Sequence, residues 1–151
     1  MKNTIIFDLD GTLALIDKRR DHALKMGKNG KMNWNKFFDP ENIKLDKPNW
    51  PVINTLLAFV QAGYKIAIFT GRSASTLDAT KEWLHEYGIE YNAFKMRPER
   101  NFRPDEQLKL EWLNDMDWKD DVEMVFDDRD KVVNMWREIG LTCAQVAPGN
   151  F

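Results

Sequence analysis

The sequence predicts an α/β fold, a parallel sheet flanked by helices. Two observations predict it. Apolar runs at Thr4 to Leu9, Tyr64 to Phe69 and Glu123 to Phe126 are nearly continuous, as strands buried on both faces are. Stretches with apolar residues at helical spacing separate the later runs, and strands alternating with helices imply βαβ units with right-handed crossovers.

The elements follow in order. Thr4 to Leu9 is the first strand. A helix over Val52 to Ala62 carries Val52, Leu56, Phe59 and Val60 on one face. Tyr64 to Phe69 is the second strand. Ser75 to Tyr87 is a helix with Leu77, Trp83 and Leu84, stopped by Gly88. A helix runs from Pro104 to Leu113, with proline as a suitable first residue. Glu123 to Phe126 is the third strand. Asp130 to Ile139 is a helix presenting Val132, Val133 and Trp136, and Thr142 to Val146 is a weaker fourth strand. Trp83, Trp112, Trp136 and Cys143 read as core. The segment from about Ala14 to Lys47 breaks the rhythm: it is rich in Lys, Asn and Asp, and reads as a cap-like insertion within a single domain spanning residues 1–151.

Composition bounds the function. At 151 residues and 43% hydrophobic content, one domain can bury a real core. A formal charge of -2 announces neither a nucleic-acid nor a membrane partner. The longest apolar runs are too short to span a bilayer, and Asp8 interrupts the first one too early for a signal peptide. With a single cysteine there is no intrachain disulfide, so a cytoplasmic protein is expected.

The chemistry collects at strand ends, where open α/β sheets bind ligands. The first strand ends in Asp8-Leu9-Asp10-Gly11-Thr12, the second in Thr70-Gly71-Arg72, the third in Asp127-Asp128-Arg129. Carboxylates out of water are costly unless a cation or hydrogen bonds compensate them. Asp8 is the candidate nucleophile toward phosphorus. Asp10 can protonate the leaving oxygen and later take a proton from water. Thr12 adds a hydroxyl, and Thr70 with Gly71 can bind phosphate oxygens. Asp127 and Asp128 offer oxygen ligands to Mg²⁺. Lys109 is the candidate to hold the nucleophile and the transferring group, with Asp105 one turn earlier to position it. Each piece alone has an ordinary reading: Asp commonly ends strands, Asp-Asp can cap a helix, and Thr-Gly-Arg can be a turn. Their order and common placement argue for catalysis.

These residues resemble the haloacid dehalogenase superfamily of aspartate-nucleophile phosphohydrolases. All four of its motifs have counterparts, in Asp8-Leu9-Asp10-Gly11-Thr12, Thr70, Lys109 and Asp127-Asp128. The resemblance implies a Rossmann-like core, Mg²⁺ and an aspartyl-phosphate intermediate. It implies that the metal is held by the Asp8 carboxylate, the Asp10 backbone carbonyl and a motif-four acid. Many members read Gly-Asp where this chain has Asp127-Asp128, which favours Asp128 as the direct ligand. From Phe126 to Arg137 and from Gln145 to Phe151 the chain looks like the 3′-phosphatase domains of bacteriophage polynucleotide kinase/phosphatases. That likeness implies substrate-side roles for Arg19, Arg72 and Asp105. No Gly-x-x-x-x-Gly-Lys-Ser/Thr sequence occurs, so if the chain is complete a phosphatase without a 5′-kinase is expected.

The substrate is less constrained. Between Lys18 and Lys36 lie seven basic residues against the single acid Asp21, beside Trp34, Phe37 and Phe38. Basic groups contact polynucleotide backbones, and aromatics stack on bases. A solvated insertion whose aromatics pack on the core gives the same pattern. Arg97, Arg100 and Arg103 form a second basic cluster with the same two readings. A nucleic-acid 3′-phosphate end leads as substrate; a nucleotide or other small phosphomonoester, and a non-catalytic nucleic-acid-binding module, remain alternatives.

Overall fold

A computed structural model describes residues 1–151. Five parallel strands form the sheet: β1 (Thr4–Phe7), β4 (Lys65–Ser73), β5 (Ala93–Arg97), β6 (Val122–Asp127) and β7 (Thr142–Gln145), in the order β5-β4-β1-β6-β7. The small strands β2 (Ala14–Leu15) and β3 (Lys47–Pro48) pair antiparallel at the two ends of the segment that breaks the sequence rhythm. Between them lie the short helices α1 (Asp17–Lys25), α2 (Trp34–Phe37) and α3 (Pro40–Ile43). The longer helices are α4 (Trp50–Gln61), α5 (Leu77–Glu86), α6 (Asp105–Asn114) and α7 (Asp130–Glu138). The architecture is α/β and Rossmann-like, and no helix is long and apolar enough to cross a membrane.

Strand alternation divides the core into two layers. Ile5 and Phe7 of β1, with Ile66 and Ile68 of β4, pack with Ile53 and Leu56 of α4 and Trp83 and Leu84 of α5. Ile6, Ala67, Phe69 and Val125 face the other way, toward Leu113 of α6 and Val132, Val133 and Trp136 of α7. Phe7 stacks on Phe126 at 4.7 Å between ring centroids. Burying such a side chain contributes about 1.5–3 kcal/mol, so every central strand is held from both faces. Trp83, Trp136 and Cys143 are buried as expected, while Trp112 is half-buried at the edge of the second layer.

Two differences from the sequence reading bear on the site. Strand β4 runs four residues beyond Phe69, so Thr70 and Arg72 lie in the strand itself. Strand β5 was not expected: Ala93-Phe94-Lys95-Met96-Arg97 is an edge strand, half-buried along its length, and lacks the continuous apolar run of a central strand. Helix α6 starts at Asp105, one residue after Pro104.

Candidate active site

Strand β1 delivers Asp8 to the carboxyl edge of the sheet. The Asp8 N–H donates to the Phe126 carbonyl at 2.9 Å, prolonging the ladder by one residue. The chain then turns sharply: the Leu9 carbonyl accepts from the N–H groups of Thr12, Leu13 and Ala14. Gly11 makes this possible. Its φ is +80°, and a Cβ there would lie 2.1 Å from Asp128 Oδ2. Strand β6 brings up Asp127, its last residue, followed by Asp128, and α6 reaches in with Lys109.

These side chains form one charge cluster. The Lys109 ammonium donates to Asp8 Oδ1 and to Asp127 Oδ2, each at 2.8 Å. Asp127 Oδ1 accepts the N–H groups of Asp128 at 2.9 Å and Arg129 at 3.3 Å. The Thr12 hydroxyl donates to Asp8 Oδ2 at 3.3 Å. Carboxylate oxygens of Asp8, Asp127 and Asp128 lie within 4.8 Å of one another, and all three residues are buried. Three carboxylates against one ammonium leave two negative charges uncompensated. The electrostatics register this. Burial and then Asp127 hold the Asp8 carboxyl well above its usual range, despite Lys109. Burial and then Asp127 push Asp128 up to about 6. Burial opposes the Lys109 charge, but Asp127 and Asp8 outweigh it and hold the ammonium above its ordinary value.

A second cluster adjoins the first. Asp10 Oδ1 accepts from Arg19 Nη2 at 2.8 Å and from Arg72 Nε at 2.7 Å. Behind the arginines lies Asp46, accepting from Arg19 Nε at 3.0 Å and from Arg72 Nη2 at 2.6 Å. Arg72 Nη1 also donates to the Thr80 hydroxyl, and Arg19 Nη1 to the Phe37 carbonyl. Here two carboxylates meet two guanidiniums and the charges balance. Burial opposes ionisation of Asp10, but Arg72 and Arg19 outweigh it and hold its carboxyl below the usual range. At Asp46 burial prevails over the same arginines, and the carboxyl sits at about 6.

The sequence reading expects substrate-side roles for Arg19, Arg72 and Asp105, and the structure gives each its partners. Arg19 is 0% and Arg72 1% exposed, with their N–H groups turned to Asp10 and Asp46, so both lie behind Asp10. Asp105 bonds Arg97 and Arg129 rather than the Lys109 ammonium, and it adds to the field that keeps Lys109 charged. Thr70 is fully buried, its hydroxyl accepting the Arg72 N–H at 3.1 Å. Gly71 lies against Asp105: a Cβ there would be 2.6 Å from Asp105 Oδ1. Sequence reasoning missed Asp46. It sits alone between two lysines with no motif around it, and the only signal was the need of two buried arginines for a second partner.

Comparison with known proteins follows this geometry. The family described as the polynucleotide kinase PNKP phosphatase domain matches residues 27–151. A putative bifunctional polynucleotide kinase/RNA ligase of Autographa californica nuclear polyhedrosis virus is 30% identical over 140 residues, covering 89% of this chain and 18% of the viral protein. A chain in the structure of a Pnkp1/Rnl/Hen1 complex superposes with a TM-score of 0.78 and 32% identity, over 100% of this chain and 48% of that one. A haloacid dehalogenase-like hydrolase from Streptococcus pneumoniae shares the fold at a TM-score of 0.67 and 14% identity, over 95% of this chain and 83% of the other. The chain thus spans less than half the length of the viral relative and of the chain from the complex. With its parallel sheet and carboxylate-lysine cluster at the strand ends, this chain is a haloacid dehalogenase-type phosphatase that belongs to the polynucleotide kinase PNKP phosphatase domain family.

Proposed function

We propose that this domain is a Mg²⁺-dependent phosphomonoesterase that acts through an aspartyl-phosphate on Asp8 and removes the 3′-phosphate from polynucleotide ends. The observation that carries the reading is the contrast between the two clusters. Asp10, Arg19, Asp46 and Arg72 are neutral as a set, whereas Asp8, Asp127 and Asp128 exceed Lys109 by two negative charges. That shortfall, in a buried set of oxygen donors, suits a hard divalent cation. Asp8 and Asp128 would hold it, with the backbone carbonyl of Asp10. The Asp127 carboxylate accepts three hydrogen bonds and the Asp128 carboxylate none, which supports Asp128 over Asp127 as the direct ligand. The cation would offset repulsion between the Asp8 carboxylate and an incoming phosphate.

The protein's own groups divide the remaining work. An Asp8 carboxylate oxygen attacks phosphorus, and the bond from phosphorus to the leaving oxygen breaks. Lys109 keeps Asp8 aimed and favours its ionised form. Thr12, Thr70 and the Gly71 backbone N–H supply donors for the phosphoryl oxygens. Asp10 gives a proton to the leaving oxygen, then takes one from the water that attacks the phosphorus of the acyl phosphate, releasing inorganic phosphate. Both arginines bond Asp10 Oδ1, which fixes the side chain and leaves Oδ2 for proton transfer. They hold Asp10 as a base at rest; a phosphate dianion beside it raises its pKa and favours the acid form needed first.

Polynucleotide specificity rests on the family and on the insertion over residues 14–47, read as a cap of this single domain. Phe37 packs under Arg19 at 4.5 Å, and so ties α2 to Asp10. Trp34, one turn earlier, is 59% exposed and stacks with Phe38 at 6.0 Å, offering an aromatic face to a base.

The test is a substrate panel with Mg²⁺ and with a chelator, Asp8→Asn serving as control. The expected result is Mg²⁺-dependent phosphate release from a 3′-phosphorylated oligonucleotide, with 5′-phosphorylated oligonucleotide and sugar phosphates slower and Asp8→Asn inactive. Turnover of mononucleotides or sugar phosphates alone would make this a small-molecule phosphatase. Full activity of Asp8→Asn would remove the aspartyl-phosphate step.

A further inference from the structure

Phe102 stands out on the surface away from the two clusters. It is 91% exposed and pairs with no other aromatic ring. Single exposed apolar residues are ordinary, and an exposed Phe alone argues nothing. What distinguishes this one is how its loop, between β5 and α6, is held. One side chain, Arg97, clamps it: Nη1 donates to the carbonyls of Asn101 at 3.0 Å and Arg103 at 2.6 Å, the residues on either side of Phe102. The same guanidinium donates through Nε to the Gly71 carbonyl at 2.9 Å and through Nη2 to Asp105. Asp105 in turn accepts from Arg129, next to Asp128. The Arg103 N–H closes the loop on the Asn101 side chain at 3.0 Å. So a fixed loop, tied to the residue after Thr70, presents a bare aromatic ring.

Its charge indicates the occupant. Phe102 is flanked by Arg100 and Arg103, both exposed, on a chain whose net charge is -2; Arg103 is paired with Glu111, and Arg100 makes no ion pair. Arg100 holds a left-handed backbone, φ +59°, a position that favours glycine or asparagine. An aromatic between exposed arginines matches a nucleic-acid strand, whose bases stack on rings and whose phosphates pair with guanidiniums. We propose that Phe102 is a stacking platform for an unpaired base of the substrate strand upstream of the 3′-phosphate, with Arg100 along the adjoining backbone. This rests on the polynucleotide reading above and adds to it a single-stranded 3′ end. The base in question lies beyond the terminal nucleotide, since the terminal phosphate must reach Asp8.

The experiment compares KM for a 3′-phosphorylated single-stranded hexanucleotide and for a 3′-mononucleotide, in wild type, Phe102→Ala and Phe102→Trp. One stacked base contributes roughly five- to hundredfold in affinity. Phe102→Ala is expected to raise the hexanucleotide-to-mononucleotide KM ratio about tenfold at unchanged hexanucleotide kcat, and Phe102→Trp to restore it. The exposed position makes misfolding of either variant an unsuitable explanation, and a thermal melt checks it. Wild-type turnover of the hexanucleotide with the same KM ratio in Phe102→Ala would overturn the platform alone. Mononucleotide turnover without hexanucleotide turnover by wild type would overturn the polynucleotide reading and the platform with it.

Discussion

Replacing Asp128 by Asn should make the metal-free protein more stable while destroying its activity. Burial and the neighbouring Asp127 push the Asp128 carboxyl up to about 6, against roughly 3.9 in an unfolded chain. Two pKa units correspond to about 3 kcal/mol of ionisation cost carried by the folded state above pH 6. The sign follows from linkage. A carboxyl whose folded pKa is raised contributes stability that is full below pH ~4 and is lost as pH rises through about 6. Asn has the same shape, no charge, and an amide that can donate to Asp8. In chelator at pH 7.5, Asp128→Asn should therefore gain up to about 3 kcal/mol, roughly 6–12 °C in Tm for a domain of this size. At pH 4 the difference should vanish. Adding Mg²⁺ at about a thousandfold excess over Kd reverses the order: wild type gains about 4.1 kcal/mol, and the variant gains far less. Urea unfolding at both pH values, with Mg²⁺ and with chelator, measures all of this. A metal-free variant no more stable than wild type at pH 7.5 would refute the claim that uncompensated charge is stored in this cluster.

Two further substitutions test the scaffold. Asp46→Asn leaves Arg19 and Arg72 with Asp10 as their one carboxylate partner, so phosphate release should fall about tenfold or more as Asp10 loosens. Unchanged turnover would mean that Asp46 does not position Asp10. Gly11→Ala combines a φ of +80° with a Cβ placed 2.1 Å from Asp128 Oδ2. It should cost about 1–3 kcal/mol in a thermal melt and at least a hundredfold in kcat through displaced carboxylates.

What could be read from the sequence depended on how each residue is held. Asp8, Asp127 and Thr70 were legible because the apolar runs before them can only be central strands, and a central strand fixes where its end lies. Lys109 was legible one step later, since a helix entering that rim with one lysine meets two carboxylates there. The edge strand β5 was not legible, because its burial is set by pairing with β4 rather than by its own residues. Asp46 was hidden for a related reason: its partners stand 27 and 26 residues away, and nothing local marks it. The bonds of Arg19 and Arg72 to that acid were hidden with it.

Asp46 also explains how neighbouring acids can take opposite parts. An arginine pair bonded to Asp10 alone would leave one positive charge unmatched in a buried site, and burying unmatched charge costs several kcal/mol. Asp46 removes that excess, so the arginines can be buried and rigid and can hold Asp10 ionised without an external ion. Asp8, Asp127 and Asp128 have no such second arginine. Their cluster stays short of positive charge, the Asp8 and Asp128 carboxyls are pushed up, and it gains most from a ligand that brings charge. On the proposed mechanism the neutral cluster would fix the proton-transfer group whether or not substrate is present, while the charged one would bind the cation. Moving one arginine's worth of charge between them, as in Asp46→Asn, should therefore disturb both halves at once: Asp10 loses its fixed position, and the excess positive charge competes for the same carboxylates that a cation would need.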